Sequence, residues 1–312
     1  MNFFVGITDY DWFLTHASRP VVEEVNFWRP SSIAPFKALN TGEMFLFKLH
    51  APRNFIVGGG FFTRFVQLPI SLAWDAFREG NGVRSLFEMR ERIAKYRRSP
   101  IQANENPSVG CILLAEPFFF RESDWIPIPS DFSLNIVQGK GYNSENSATG
   151  RALWQEVTDH LSINIQANAD PGPATIASVK NRYGAPALVR PRLGQGAFRL
   201  IVTDVYERRC AITGERTLPV LEAAHIKPYG MGGPHQPENG LLLRSDLHTL
   251  FDQGYLTVDA NELKVLVSGR IREEFENGRD YYQLHGRAVR LPRDMPNLPS
   301  REYLEFHNSL FR

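Results

Sequence analysis

The sequence predicts an α+β protein built from two units, and three observations carry that prediction. At 312 residues the chain is long for a single hydrophobic core. Hydrophobic residues make up 43% and charged residues 22%, so real cores can be buried and the chain is not a disordered one. Strand-like and helix-like periodicities then alternate along it, and the texture changes after about residue 130.

The strand "NFFVGIT" comes first, followed by "EMFLFKLH" and the long "NFIVGGGFFTRFVQL", whose Gly58–Gly60 break suits a β-bulge. "SLAWDAF" and "SLFEMRERIAKYRR" place apolar residues at helical spacing, and "GCILLAEPFFF" returns to strand. "QGKGYNSENSATG", from Gln138 to Gly150, reads as loop from its Gly, Ser and Asn content. A helix is expected at "RALWQEVTDHL", ahead of the breaker "DPGP". These boundaries give a first unit over 1–130, a helical linker over 131–185 and a second unit over 186–312. The second unit opens on the helix "GAFRLIVTDVYERR". Strands follow, then a short helix in "RSDLHTLFDQG", then further strands to the end.

Charge and cysteine content narrow the class. A net charge of +1 leaves any basic surface hidden inside a balanced total. Two cysteines far apart, Cys111 and Cys210, supply no disulfide framework and no four-cysteine zinc site, so no structural zinc is expected. "MNFFVGITDYDWF" lacks a basic n-region, and no apolar run approaches the ~18 residues of a spanning helix. The expectation is a reducing, prokaryotic-type cytoplasm and no membrane partner.

The chemistry is concentrated in the second unit. In "RSDLHTLFDQG", Leu247, Leu250 and Phe251 form an apolar stripe, with Ser245 expected as cap and Gly254 as stop. His248 and Asp252, four residues apart, share another face, where an imidazole and a carboxylate can converge on one divalent cation. Upstream, "LPVLEAAHIKPY" carries His225 on a strand, the loop "GMGGPHQPENG" ends at Asn239, and "LLLR" forms a second strand. One hairpin and one helix, at about 218–254, thus gather His225, Asn239, His248 and Asp252. A strand histidine beside a bound metal can take a proton from an attacking water.

This block resembles the HNH endonucleases, the ββα-metal nucleases, in the His of "EAAHIKP", the Asn of "PENGLLL" and the His of "RSDLHTLFD". The resemblance spans about Arg190 to Arg312, with "RPRLGQGAFR", "CAITGE" and "YLEFHNSLF" as its flanks. It implies His225 as general base, Asn239 as the residue that holds the loop, and His248 with Asp252 as metal ligands. One Mg²⁺, Mn²⁺, Ni²⁺ or Co²⁺ ion per site would suit them. Many members carry an acidic or His ligand just before the base, where this chain has Ala224; Glu222 is the substitute on the strand. Arg192, Gln195, Arg199, Arg208, Arg209 and Arg244 are candidate phosphate contacts, which position a duplex without reading it.

The first unit resembles the PUA-like superfamily, in its EVE type, through "FFVGITDYDWF", "VNFWRPSS" and "GEMFLFKLHAPRNFIVGGGFF". That likeness implies a mixed β-barrel with helices that binds a modified base among aromatic rings. Trp28, placed in an irregular loop by Pro30, Tyr10, Trp12 and Phe36 are ring candidates, with Trp74 on a helix a weaker one. Ser31, Ser32 and Asp75 are polar candidates. Together the two resemblances imply a modification-dependent, type IV-like restriction endonuclease. It would recognise 5-methyl- or 5-hydroxymethylcytosine in double-stranded DNA by base flipping, cleave nearby, and act as a homodimer. The alternatives are an HNH nuclease for unmodified DNA and a non-catalytic module that binds modified DNA.

Overall fold

The computed structural model describes residues 1–20, 22–31, 34–168 (side chains to 161) and 194–312. The chain divides into two compact units, Met1–Arg192 and Leu193–Arg312. Among the described residues no helix is long and apolar enough to cross a membrane.

The first unit runs β1 (Asn2–Thr8), α1 (Tyr10–Ala17), β2 (Glu24–Arg29), β3 (Met44–Leu49), β4 (Phe55–Pro69), α2 (Ile70–Phe77), α3 (Leu86–Arg97), β5 (Ser108–Phe119), β6 (Ile126–Pro127), β7 (Gly139–Asn143) and α4 (Ala148–Asn168). Its sheet is ordered β2-β5-β4-β3-β1-β7, with β6 added beside β4. The β1–β3 pair is parallel and the other pairs are antiparallel.

Every residue of β3 is buried, and its period of two feeds two cores. Met44 and Leu46 join Phe3, Val5 and Ile56 beneath Leu153, Val157 and Leu161 of α4. Phe45 and Phe47 join Trp12, Phe13 and Phe27 on the other face. A bulge is present in the glycine run against β5, where the β4 register shifts between Gly59 and Phe61, and against β3 the shift comes just before it, between Ile56 and Gly58. Gly58 adopts φ +155°, and a Cβ there would lie 2.2 Å from the Phe118 carbonyl oxygen.

Three expectations for the first unit need correction. Among the described residues the sheet is not a closed barrel, because β2 and β7 end the order without pairing to each other. Near that seam, the Arg29 guanidinium donates to Gln138 Oε1 at 2.9 Å, a side-chain bridge in place of a strand ladder. Within the described part of the stretch read as loop and linker, Phe132, Tyr142 and Leu153 join the core of the first unit. Gly139–Asn143 pairs with β1, and Tyr142 and Lys140 both bond the Asp131 carboxylate. A glycine-rich strand carries little side-chain signal, so its ladder was invisible to periodicity. Trp28 lies on strand β2 opposite Cys111, not in a loop.

The second unit runs α5 (Gln195–Val205), β8 (Leu221–His225), β9 (Gly240–Arg244), α6 (Ser245–Asp252), β10 (Leu256–Val258), β11 (Val265–Val267), α7 (Arg270–Phe275), α8 (Arg279–Tyr282) and α9 (Arg301–Ser309). Its β8–β9 hairpin and following α6 form the expected ββα unit. Phe198 and Val202 of α5, Leu241–Leu243, Leu247, Phe251 and Leu304 share one core, which also buries Cys210. Ser245 is the first helical residue, not a side-chain cap. In its place Asp246 stands in the first turn, where a negative charge suits the helix dipole, and Arg244 grips it at 2.6 and 2.7 Å. The end of the chain is helical and not a run of strands. In α9, Leu304 and His307 recur three apart and are buried, with His307 stacked on Phe251 at 3.6 Å.

Candidate active site and a cavity in the first unit

The β8–β9 register sets His225 opposite Gly240, at the point where the hairpin opens into the 226–239 loop. Asn239 closes that loop. Its Oδ1 accepts from the Lys227 amide at 2.8 Å, and its Nδ2 donates to the carbonyls of Lys227 and Pro234 at 3.0 and 2.9 Å. It is fully buried, so these bonds have no water to replace them. The loop is tight enough that a Cβ on Gly233 would lie 1.9 Å from the Lys227 carbonyl oxygen.

His225 stacks on Phe198, with centroids 4.0 Å apart and planes 11° apart. Its Nε2 lies 2.8 Å from His235 Nδ1. Burial pushes the imidazole down to about 4, helped by the nearby His235 and His248. It is therefore neutral at neutral pH and has a lone pair to offer. His225, His248, Asp252 and Glu222 line one cavity of about 520 Å³, with Gln195 and Arg199 at its wall.

His248 is held between two carboxylates. Glu222 Oε2 lies 2.7 Å from Nδ1 and Asp252 Oδ2 lies 3.3 Å from Nε2. Burial pushes the Asp252 carboxyl upward; the His248 ring opposes this, and Glu222 adds to it. The arrangement is short of positive charge, and a divalent cation suits that donor chemistry. Among the described residues no group of three or more His, Cys, Asp or Glu side chains is arranged to hold a metal ion. The three side chains pair with one another.

Of the expected phosphate contacts, Gln195 and Arg199 line the cavity. Arg208 is exposed beyond the end of α5, and Arg209 is half-buried with an unpartnered Nε among the described residues. Arg244 is committed to Asp246. Arg192 lies outside the described residues. His235, Tyr229 and Phe198 were not anticipated. The sequence signal for the first was a histidine inside "GGPHQPENG", between two motif residues.

The first unit has its own cavity, of about 340 Å³, within the range of small-ligand pockets. It brings together Trp12, Trp28, Phe36 and Ser31. Trp12 is mostly core, edge-on to Phe27 and Phe47. Trp28 is fixed by an Nε1–H bond to the Asn81 carbonyl at 2.9 Å. Tyr10 does not line it; its ring packs on Phe13 and Trp125 beneath the Arg53 guanidinium. Asp75 is exposed on α2 beside Arg78, which also lies near the Trp74 ring. Ser32 lies outside the described residues. Sequence reasoning missed the polar side of this cavity. The Tyr96 hydroxyl meets both Asp9 carboxylate oxygens at 2.5 and 2.6 Å, and His50 Nε2 stands 3.7 Å from Asp9.

Residues 210–259, which contain the ββα unit, match the family model of the HNH endonucleases. The match is confined to that stretch of the second unit and makes it the candidate nuclease domain. No curated protein matches the chain. Among solved structures, the chain is similar to a mutant ZmASCH protein from Zymomonas mobilis. Identity is 12% and the TM-score 0.34, over 49% of this chain and 96% of that one. It is also similar to a modification-dependent TagI restriction endonuclease. There identity is 13% and the TM-score 0.28, over 98% of this chain and 81% of that one. Both likenesses are remote.

Proposed function

We propose that this chain is a divalent-metal-dependent DNA endonuclease of the modification-dependent, type IV-like restriction class. Its first unit recognises 5-methyl- or 5-hydroxymethylcytosine in duplex DNA, and its second hydrolyses a phosphodiester nearby. The observation that carries the nuclease half is the single cavity shared by His225 and the His248–Asp252–Glu222 cluster.

In this reading His225 takes a proton from water as the water oxygen attacks phosphorus. Asn239 keeps the 226–239 loop closed, so the imidazole stays seated on Phe198. His248, Asp252 and Glu222 would hold the ion, which when bound supplies positive charge against the scissile phosphate and the departing 3′ oxygen. Arg199 and Gln195 meet the neighbouring phosphates.

The modified-base half is supported by a cavity that offers rings for stacking and Asp9, Tyr96 and Ser31 for a base edge. One active site cuts one strand, so a homodimer is the proposed form for double-strand cleavage. The test is cleavage of methylated, hydroxymethylated and plain duplexes side by side, with and without EDTA, by the native chain and His225→Ala. Removing the base should slow cleavage of every substrate at least ~10²-fold while leaving DNA affinity intact. Equal cleavage of all three duplexes by the native chain would reduce the reading to a general DNA nuclease.

A further inference from the structure

We propose that His235 is a positioning residue for His225. It accepts a hydrogen bond from the His225 Nε2–H and so holds the base in the tautomer whose lone pair lies on Nδ1. The proposal rests on the reading of His225 as general base.

The 2.8 Å separation of His225 Nε2 and His235 Nδ1 is a hydrogen bond, and it needs one donor and one acceptor. Two neutral imidazoles satisfy it in two ways. If Nε2 of His225 accepted, its only proton would sit on Nδ1 and no lone pair would remain for a water. If Nε2 donates, Nδ1 is free to act, and among the described residues Nδ1 has no hydrogen-bond partner. Only the second arrangement leaves a base, so the neighbour must present a lone pair at its own Nδ1.

Both rings are clamped in place for this. Phe198 stacks on His225, and Tyr229 stacks on His235 with centroids 4.3 Å and planes 7° apart. Asn239 also anchors the carbonyl of Pro234, the residue immediately before His235. In the chemical step the water oxygen bonds to phosphorus and the bond to the 3′ oxygen breaks. The water proton passes to His225 Nδ1. The imidazolium keeps its Nε2 proton, and its bond to His235 becomes charge-assisted, which strengthens it as charge develops. The logic is that of a base oriented by a third group, with an imidazole in the orienting place.

The test uses the full chain. His235→Phe keeps a ring for Tyr229 and removes the acceptor; His235→Asn returns a side-chain oxygen near the position of Nδ1. Single-turnover cleavage by His235→Phe should fall roughly 10- to 100-fold, the scale seen for orienting partners, with DNA affinity unchanged. His235→Asn should recover most of that loss. Nitrogen-15 NMR of histidine-labelled, metal-free protein at neutral pH should show His225 protonated at Nε2 in the native chain. Native-rate cleavage by His235→Phe, equal losses in both variants, or His225 protonated at Nδ1 would each overturn the proposal. His225→Ala distinguishes the two levels. If it cleaves normally, the base assignment itself is wrong. If it is inactive while His235→Phe is fully active, only the positioning role is lost.

Discussion

Glu222 Oε2 lies 2.7 Å from His248 Nδ1, a contact between the start of the first hairpin strand and the helix that follows the hairpin. Ala224, the residue just before His225, is fully buried in the core of the unit and offers no donor. The carboxylate side chain that reaches the imidazole comes instead from two residues earlier. Together with Asp252 it encloses His248 from both ring nitrogens.

If those three side chains hold the ion, Glu222→Ala and Asp252→Ala should each weaken Mn²⁺ binding by roughly 10- to 100-fold or more, measured by calorimetry without DNA. Excess Mn²⁺ should then partly restore cleavage by Asp252→Ala. An unchanged affinity for Mn²⁺ in Glu222→Ala would remove that residue from the ligand set and leave it as a hydrogen-bond partner of His248.

Asn239 should matter through structure before chemistry. Asn239→Ala strips partners from the Lys227 amide and from two carbonyls within a closed loop. The cost should be about 2–4 kcal/mol in urea unfolding of the chain, since buried polar groups are left unpaired. Asn239→Asp keeps an acceptor for the amide and loses both donated bonds, so it should also destabilise. Wild-type stability in either variant would show that water replaces these bonds.

The ββα unit was legible because its signals are local. Apolar periodicity, a glycine-rich loop and four polar residues at fixed offsets all fall within one short stretch. His235 escaped because its partner is chosen by the loop's closure, and the clamp between Phe198 and Tyr229 joins residues far apart in sequence. The first unit was legible in β1, β3, β4 and β5, and not in β2, β7 or its closure. Whether a curved sheet seals into a barrel depends on pairing between its terminal strands, which no local pattern encodes. The polar wall of its cavity joins Asp9 to Tyr96 across 87 residues, a relationship only the tertiary fold creates.

His16 predicts an acid-sensitive first unit. It is fully buried, neither ring nitrogen has a hydrogen-bond partner among the described residues, and it packs on Trp12 and Phe119. Burial lowers its pKa to about 3, with Arg19 adding to the effect, from an ordinary value of 6.5. Between those values the unfolded chain binds a proton that the folded chain does not, so stability rises with pH through this window. It should be fully present above about 6.5 and lost progressively as pH falls toward 3, by an amount on the order of a few kcal/mol. His16→Leu should flatten that dependence in denaturant unfolding between pH 4 and 6.5. An unchanged slope would assign the acid sensitivity to other groups, such as His307, whose pKa burial lowers to about 4.

Selection for a modified base should depend on Trp28 and not on Tyr10. Trp28 is pinned by its bond to Asn81 and stands edge-on to Tyr96, ring centroids 6.2 Å apart, so it presents a rigid ring to the cavity at little ordering cost. Removing it as Trp28→Ala should cost roughly 1–3 kcal/mol of binding, by analogy with base–aromatic stacking. The loss should fall on modified duplexes and spare plain ones, because phosphate contacts do not sense the base. Asp9→Asn should act on the same ratio, since it alters the carboxylate that the Tyr96 hydroxyl and the cavity share. Tyr10→Ala supplies the contrast: its ring packs against Phe13 and Trp125, away from the cavity. It should lower stability and leave the ratio of modified to plain binding untouched. If Trp28→Ala weakens both duplexes equally, the cavity does not read a base, and the first unit contributes affinity without selection.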